Sequence, residues 1–193
     1  MGGSLSLNLK VDPELHQVSI IKTPINDAEI VLNTIVTEIP LKFAGILPPE
    51  MIEKAKKMAQ AYMIIYCFEN SLRVFIDKIS TEKIGNDYWN YLKISRDLRD
   101  NIDRRKKEEQ NNLFHALRGD KELYYLDLDD LGKVIQLNWD IFKNYFPDMT
   151  FILQKISEIR VTRNNVAHNG TISEDDFTRV LLHYKDILKQ INR

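Results

Sequence analysis

The chain has 193 residues, a formal net charge of −1 and a single cysteine. This length predicts one domain, or one domain with a small extension, and it is sufficient to bury a hydrophobic core. The balanced charge excludes a uniformly basic nucleic-acid-binding chain. The single cysteine, Cys67, excludes a disulfide framework and favours a cytoplasmic location. No apolar stretch reaches the length of a membrane span, so we expect no membrane partner.

The first 47 residues are interpreted as an N-terminal extension of uncertain structure that precedes a helical domain over residues 48–193. Residues 5–11 alternate between apolar and polar side chains, which predicts a β-strand, and residues 18–22 predict a second short strand. Residues 28–39 have apolar positions at helical spacing but many β-branched side chains, so helix and strand both stay open there. We therefore expect a small β-containing extension.

From Pro49 onward the sequence predicts about five helices, and so a mainly α fold of the helical-bundle class. Proline suits the first turn of a helix. The apolar residues that then recur at helical spacing are Met51, Ala55, Met58, Tyr62, Ile65, Leu72, Ile76 and Ile79. A second helix is predicted over residues 87–110. Asp129 can cap a third helix that extends to about Tyr145, before Pro147 interrupts the pattern.

Two further helices are predicted near the C-terminus. Asp148 can cap the fourth helix, which extends to His168, and Gly170 is a natural terminator of that helix. Ser173 and Asp176 form a near capping box at the start of the fifth helix, with aspartate in the place of glutamate. The first six residues of the run RNNVAHNG therefore place an arginine, two asparagines and a histidine on the last turns of the fourth helix.

Two charged residues fall on predicted apolar faces. Arg163 lies near the middle of the apolar stripe of the fourth helix, where an unpaired guanidinium is costly to bury. That stripe comprises Met149, Ile152, Ile156, Ile159, Val166 and Ala167. Glu69 lies on the apolar face of the first helix and requires a cationic partner, either Arg163 across the bundle or Arg73 on the same helix. A purely structural role for Arg163 is the alternative.

The histidines limit the chemistry that the chain can perform. The four of them, at positions 16, 115, 168 and 183, include no two at metal-ligand spacing, so we expect no metal and no cofactor. His168 is five residues after Arg163, about 140° around an ideal helix and about 7.5 Å along it. Asn164, four residues before the histidine, shares its face. Taken alone, His168 is typical of a surface histidine near a helix C-terminus.

The spacing Arg-x-x-x-x-His, with asparagine after the arginine, resembles the signature of the HEPN superfamily (higher-eukaryote and prokaryote nucleotide-binding domains). The segments YLDLDDLGKVIQLNWDIFKNYF, ISEIRVTRNNVAH and ISEDDF resemble the Swt-type branch in order, spacing and character. The early segments FENSLRVFI and YWNYL resemble the first helices of that branch. The resemblance covers about residues 50–190 and leaves out the first 47.

The resemblance implies a metal-independent endoribonuclease whose partner is RNA. It implies a homodimer in which two copies of the motif form one composite site, with Arg163 and His168 as the catalytic pair and Asn164 beside them. Glu69 is predicted to support this site. A toxin or antiviral defence effector, controlled by an antitoxin or sensor protein, is the expected setting. Other superfamily members are non-catalytic dimerisation or RNA-binding modules of larger proteins, and this is the alternative function.

A basic run and five aromatic residues suggest further RNA contacts, each with a structural alternative. The residues Arg99 and Arg104–Lys107 can follow a phosphate backbone, or form a solvated helix face together with the acidic residues that follow them. The aromatic residues that can stack on bases or pack in the core are Trp89, Tyr91, Tyr124, Tyr125 and Trp139. For these five we expect core packing.

Overall fold

The computed structural model describes residues 47–112 and 114–192. The α-helices in these ranges are α1 (Pro49–Ile84), α2 (Arg96–Gln110), α3 (Leu128–Leu137), α4 (Trp139–Phe142), α5 (Met149–Ala167) and α6 (Glu174–Ile191). Two 3-10 helices, Tyr88–Asn90 and Glu122–Tyr125, precede α2 and α3 respectively. The prediction of a mainly α helical bundle is confirmed. The strands predicted over residues 5–11 and 18–22, and the ambiguous residues 28–39, lie outside the described residues.

Helix α1 begins and ends as its flanking residues require. Pro49 occupies the first turn, where the missing N–H costs no helical hydrogen bond. At the other end Gly85 has a φ of 116°, a conformation that favours glycine, and its N–H donates to the carbonyl of Thr81 at 2.9 Å. The buried apolar residues of α1 are Ala61, Ile64, Ile65, Phe68, Leu72, Phe75, Ile76 and Ile79. One face of α1 thus supplies a large part of the core.

The apolar face predicted for α1 is only partly correct. Its later members, from Ile65 to Ile79, are buried, but the earlier members Met51, Ala55 and Tyr62 are exposed. The first turns of α1 precede Ala61, the first residue of the helix that the core covers. Tyr62 lies about 60° around the helix from Ile65, away from the centre of the buried face. Tyr62 is therefore at helical spacing from the core residues but lies on the edge of α1 outside the buried face.

The second helix is shorter than the predicted span of residues 87–110. Helix α2 starts after Ser95, whose hydroxyl accepts the N–H of Leu98 at 3.4 Å. The preceding residues pack against α1 instead of continuing the helix. Tyr88 is buried there, and its hydroxyl donates to the carboxylate of Asp77 at 2.7 Å. The start of α2 is therefore determined by a serine cap together with a long-range contact.

Neither limit predicted for the third helix is correct. Its cap is Asp127, whose carboxylate accepts the N–H of Asp130 at 3.1 Å, so α3 begins earlier than a cap at Asp129 would allow. It ends at Leu137. The side chain of the next residue, Asn138, binds the backbone N–H and C=O of Lys93, between α1 and α2, at 2.8 and 3.0 Å. The short helix α4 then continues separately.

The basic run in α2 holds neighbouring segments in place. Arg105 donates to the carbonyl of Tyr125 and pairs with Asp127. Lys106 pairs with Glu122 at 2.7 Å. The solvated-face alternative is therefore wrong for these two basic residues, which hold the second 3-10 helix and the start of α3. Among the five aromatic residues, burial in the core is confirmed for Tyr125, whereas Tyr91 is 71% exposed.

Side-chain contacts give the relative directions of the three longest helices. Helix α6 runs parallel to α1, because Lys57 pairs with Glu174 and, later in both helices, Ser71 bonds Tyr184. Helix α5 runs antiparallel to α6, because Lys155 pairs with Asp186 while Glu158, further along α5, contacts the earlier His183. It follows that α5 is antiparallel to α1.

Candidate functional site

Helix α5 carries the arginine and the asparagines of the motif. Its start is the one predicted, with the carboxylate of Asp148 accepting the N–H of Phe151 at 2.8 Å. The buried residues of α5 are Ile152, Ile156, Ile159 and Thr162. Arg163 continues the line of these isoleucines but lies where the core opens, with 34% of its side chain exposed. The guanidinium is therefore half-buried and needs a partner, as predicted from its position.

That partner is Glu69, which is shared between two arginines. One carboxylate oxygen of Glu69 accepts from Nε of Arg163, and the other from Nη2 of Arg73, both at 3.2 Å. The side chain of Glu69 is 12% exposed. The predicted pairing of Glu69 with a cation is thus confirmed. The two alternatives for its partner, one across the bundle and one on the same helix, hold at the same time.

The two arginines differ in how fully they are bonded. Arg73 also donates to the carbonyls of Leu123 and Leu126, at 3.2 and 2.8 Å, and to the side chain of Asn70. Arg163 has one further hydrogen bond among the described residues, a long one of 3.4 Å to an adjacent side chain. Two guanidinium groups share one carboxylate, so the triad has a net charge of +1. The exposed part of that charge belongs to Arg163.

His168 lies at the end of α5, in a turn that closes the helix. The N–H of Gly170 bonds the carbonyl of Asn165 at 2.7 Å, and the N–H of Asn169 bonds that of Val166 at 3.1 Å, which is the Schellman pattern. Asn169, with a φ of 57°, adopts the left-handed conformation. The prediction that Gly170 itself ends the helix is therefore off by one residue. Gly170 instead allows its backbone to pass close to the Asn165 carbonyl, because a Cβ at this position would lie 3.1 Å from that oxygen.

The imidazole of His168 is exposed, and within the described ranges its side chain has no hydrogen-bond partner. By contrast, His183 is held between Glu158, at 2.6 Å, and Lys155, at 3.3 Å. Hydrogen bonds from the amide of Gln154 and then from His183 lower the pKa of the Glu158 carboxyl. His183 therefore takes part in a packed ion-pair cluster between α5 and α6, whereas His168 is accessible to a ligand.

Asn164 connects the arginine and the histidine of the motif. Its side-chain oxygen accepts the 3.4 Å bond from Nη1 of Arg163, and its backbone carbonyl accepts the N–H of His168 at 3.0 Å. The structure thus brings together the side chains of Arg163, Glu69 and Asn164. The His168 ring is not bonded to any of the three. On an ideal helix it lies about 140° around and about 7.5 Å along from the arginine.

The loop after His168 is anchored at the start of α6. Ser173 and Asp176 form the predicted capping box in full, with the Ser173 hydroxyl accepting the N–H of Asp176 and the Asp176 carboxylate accepting the N–H of Ser173. The hydroxyl of Ser173 also donates to that carboxylate at 2.7 Å, which lowers the pKa of Asp176. The turn that carries His168 is consequently fixed at both ends.

Two features around this site are not indicated by the sequence. The anchoring of Arg73 by Leu123 and Leu126 links residues about fifty positions apart, and no local pattern indicates it. The exposed edge of α1 next to Glu69 carries Tyr62 and Tyr66. Their spacing from Glu69 is readable on a helical wheel, but helical spacing alone predicts Tyr62 in the core and does not single out Tyr66.

Within residues 47–112 and 114–192, no helix combines the length and the apolar character needed to cross a membrane. In the same ranges, no group of three histidine, cysteine or acidic side chains is arranged to hold a metal ion.

No curated protein and no solved structure matches the chain. The family model described as Swt1-like HEPN matches residues 64–192, about two thirds of the chain, including α5 and its motif. The chain therefore belongs to the Swt1-like HEPN family, whose superfamily consists generally of ribonuclease-like domains.

Proposed function

We propose that this protein is a metal-independent endoribonuclease whose catalytic residues are Arg163 and His168. The observation that carries the proposal is the unequal bonding of the motif. Arg163 is held by Glu69 but keeps an uncompensated, partly exposed positive charge, and an exposed histidine follows five residues later. A fixed guanidinium suits a phosphate group, and an imidazole suits proton transfer near neutral pH.

The reaction that fits these groups is cleavage of RNA by its own 2′-hydroxyl. The 2′-oxygen loses its proton to a base and attacks the adjacent phosphorus, and the bond from phosphorus to the 5′-oxygen breaks. The leaving oxygen takes up a proton, and a 2′,3′-cyclic phosphate remains. Histidine can act as the base or as the acid. The arginine stabilises the negative charge that grows on the phosphoryl oxygens.

Glu69 and Asn164 act on this chemistry through Arg163. The carboxylate of Glu69 binds Nε of Arg163, which leaves the outer end of the guanidinium available for the phosphate. The amide oxygen of Asn164 lies 3.4 Å from Nη1 and limits the rotation of the same group. Both are positioning residues in this proposal, because neither needs to contact the RNA.

We further propose that the working site is composite and forms in a homodimer. Cleavage needs one group to remove a proton and one to supply a proton, and one copy of the motif has a single histidine. Arg163 is bound toward α1, while His168 lies about 140° around an ideal helix. Two copies related by a two-fold axis place two arginines and two histidines around one cleft. Unregulated cleavage would harm a cell, so the proposal includes a controlling antitoxin or sensor protein.

The test is cleavage of RNA by the purified chain in excess EDTA, with analysis of the product ends. We expect cleavage to continue and to leave 2′,3′-cyclic phosphates. Arg163→Ala and His168→Ala should each abolish it. A strict requirement for a divalent metal ion, or full activity in either variant, would refute the mechanism. RNA binding without cleavage in the native chain would instead favour the non-catalytic module.

The composite site has a separate test. The two inactive variants, Arg163→Ala and His168→Ala, are mixed and allowed to exchange subunits. A mixed dimer has one intact arginine and one intact histidine, so partial activity should return if one copy of each is sufficient. Light scattering that shows an active monomer at assay concentration would exclude the composite site and leave the cleavage proposal standing.

A further inference from the structure

Two tyrosines on α1 are exposed at the edge of the helix face that packs against the core. Tyr62 is 60% exposed and Tyr66 is 58% exposed. Their ring centroids are 6.1 Å apart and their planes are inclined by 34°, so the rings are not stacked face to face. Each ring therefore keeps aromatic surface that another flat group can contact. Neither hydroxyl has a hydrogen-bond partner among the described residues.

The tyrosines lie on the same edge of α1 as the residues that hold the motif. Tyr62, Tyr66, Glu69 and Arg73 follow one another at spacings of four, three and four residues, which places them in a single stripe on one face of a helix. Glu69 in this stripe contacts Arg163. The exposed rings therefore continue, along α1, the edge at which Arg163 enters the site.

The direction of α5 places His168 at the level of these rings. Because α5 is antiparallel to α1, the five residues from Arg163 to His168 correspond to a displacement of about 7.5 Å toward the N-terminal end of α1. In that same direction Tyr66 lies about 4.5 Å and Tyr62 about 10.5 Å from Glu69. The level of His168 thus falls between the two tyrosines.

We propose that Tyr62 and Tyr66 form a stacking platform for the unpaired bases of single-stranded RNA next to the scissile phosphate. The inference rests on the proposed ribonuclease function and extends it to substrate selection. Aromatic rings bind bases through their faces with little regard to sequence. The uncompensated charge of Arg163, at one end of the same stripe, supplies the complementary contact to the phosphate. A base-paired duplex hides its base faces, so the platform favours unpaired RNA.

A second copy of the chain is the competing occupant of an exposed apolar edge. The other exposed apolar residues of this part of α1, Met63 and Val74, lie about 60° and 80° around an ideal helix from Tyr66, on the side away from Glu69. They extend the exposed surface of α1 away from Glu69 and Arg163, whereas the tyrosines border the motif. The tyrosine stripe is instead flanked by the charged residues Glu69 and Arg73. This arrangement favours a polyanionic ligand with flat groups over an apolar protein surface.

The experiment measures binding of short single-stranded RNA to the full chain by fluorescence anisotropy in EDTA. His168→Ala is present throughout, so that the RNA is not cut. Tyr62 and Tyr66 are each changed to alanine, leucine and phenylalanine. Leucine keeps apolar volume without an aromatic face, and phenylalanine keeps the face without the hydroxyl. Tyr91→Ala is the matched control, because Tyr91 is 71% exposed and lies outside α1.

We expect a roughly 5- to 150-fold loss of affinity for the alanine and leucine variants, and near-native affinity for the phenylalanine and Tyr91 variants. Salt dependence separates stacking from charge. The tyrosine variants should bind more weakly at every salt concentration with the same slope, because no phosphate contact is lost. An RNA with one base removed, at the position that stacks, should bind the native chain as weakly as intact RNA binds the alanine variant.

Two results would overturn the platform. One is native affinity in the alanine and leucine variants, provided that their circular dichroism melts match the parent chain. The other is a loss of RNA binding that only accompanies conversion of dimer to monomer in light scattering, since the edge would then bind a second copy. The cleavage assay on the native chain separates this failure from failure of the ribonuclease proposal. A chain that cuts limiting RNA at the native rate with both tyrosines replaced would retain the proposed function and refute the platform.

Discussion

Arg73 and Arg163 bind the same carboxylate at the same distance, yet the rest of their surroundings differ. Both lie 3.2 Å from an oxygen of Glu69. The side chain of Arg73 is 12% exposed and donates to two backbone carbonyls in the segment before α3. The side chain of Arg163 is 34% exposed and has a single additional bond of 3.4 Å. A shared ion pair therefore does not imply a shared role.

Under the proposed function, this difference lets one carboxylate serve both stability and catalysis. Arg73 makes four side-chain hydrogen bonds, so its charge is used to fasten a loop to α1. Arg163 is oriented by the same carboxylate but makes only two side-chain hydrogen bonds among the described residues. Its remaining N–H groups can bind a phosphate without a change in the orientation of the guanidinium. Replacement of either arginine leaves Glu69 paired with the other. The consequences of the two replacements should accordingly separate into activity and stability.

The largest effect is expected for Arg163→Ala. RNA cleavage should fall at least 100- to 1,000-fold, roughly the loss seen when one group that stabilises transition-state charge is removed. The thermal melt should change little, since Arg73 still pairs with Glu69. Cleavage and circular dichroism are measured on the same samples. The matched control is Arg160→Ala, a partly exposed arginine of α5 that pairs with Asp129. Native cleavage activity in both Arg163→Ala and Arg160→Ala would show that Arg163 is not part of the catalytic site.

Glu69→Gln should have a smaller effect, because it removes the charge that orients Arg163 and leaves the guanidinium in place. We expect cleavage to fall roughly 10- to 100-fold, the scale of a misplaced catalytic group. RNA binding should become tighter at low salt, because the triad loses its negative charge. A purely structural role would lower both quantities together. Opposite changes in binding and cleavage are therefore the result that identifies Glu69 as a positioning residue.

Arg73→Ala should reduce stability rather than chemistry. The carbonyl of Leu126 would lose its bond from Arg73, and the carbonyl of Leu123 would keep only the 3.3 Å bond from the N–H of Leu126. An unsatisfied buried carbonyl costs about 1–3 kcal/mol. Chemical denaturation should show this loss in the free energy of unfolding. Cleavage per folded molecule should remain near that of the native chain. A large loss of cleavage at temperatures where Arg73→Ala is fully folded would contradict the division between the two arginines.

The parts of the fold that the sequence predicted correctly are those governed by nearby residues. The Asp148 cap, the capping box of Ser173 and Asp176, and the burial of the later part of α1 each depend on contacts within a few positions. The need of Glu69 for a cation is also predictable, because a helical wheel uses only the spacing of residues within one helix. The roles assigned to Arg163, His168 and Asn164 stay predictions that only activity measurements can test.

The errors arose where distant contacts decide the outcome. The early end of α3 depends on Asn138, which bonds a backbone segment 45 residues earlier in the chain. The late start of α2 depends on Tyr88 binding Asp77 on α1. Exposure of Tyr62 depends on which neighbours cover α1, and spacing alone does not reveal it. The same reason prevented the sequence from distinguishing the roles of Arg73 and Arg163.

The smallest effect is expected at the capping box, away from both arginines. Ser173→Ala should cost about 1 kcal/mol of folding stability, the usual effect of losing a serine cap, and should leave cleavage unchanged.

The hydroxyl of Ser173 lowers the pKa of Asp176 below its ordinary value of 3.8. A carboxyl whose pKa is lower in the folded chain stabilises the fold above its unfolded pKa, and that contribution disappears as the pH falls through the folded pKa. Asp176→Asn should therefore reduce stability at neutral pH and flatten the decline of stability below about pH 4. Denaturation of the native and variant chains across this pH range measures both effects. An unchanged slope in Asp176→Asn would show that Asp176 does not contribute to acid unfolding, whereas a loss of cleavage in Ser173→Ala would show that the turn carrying His168 depends on its cap.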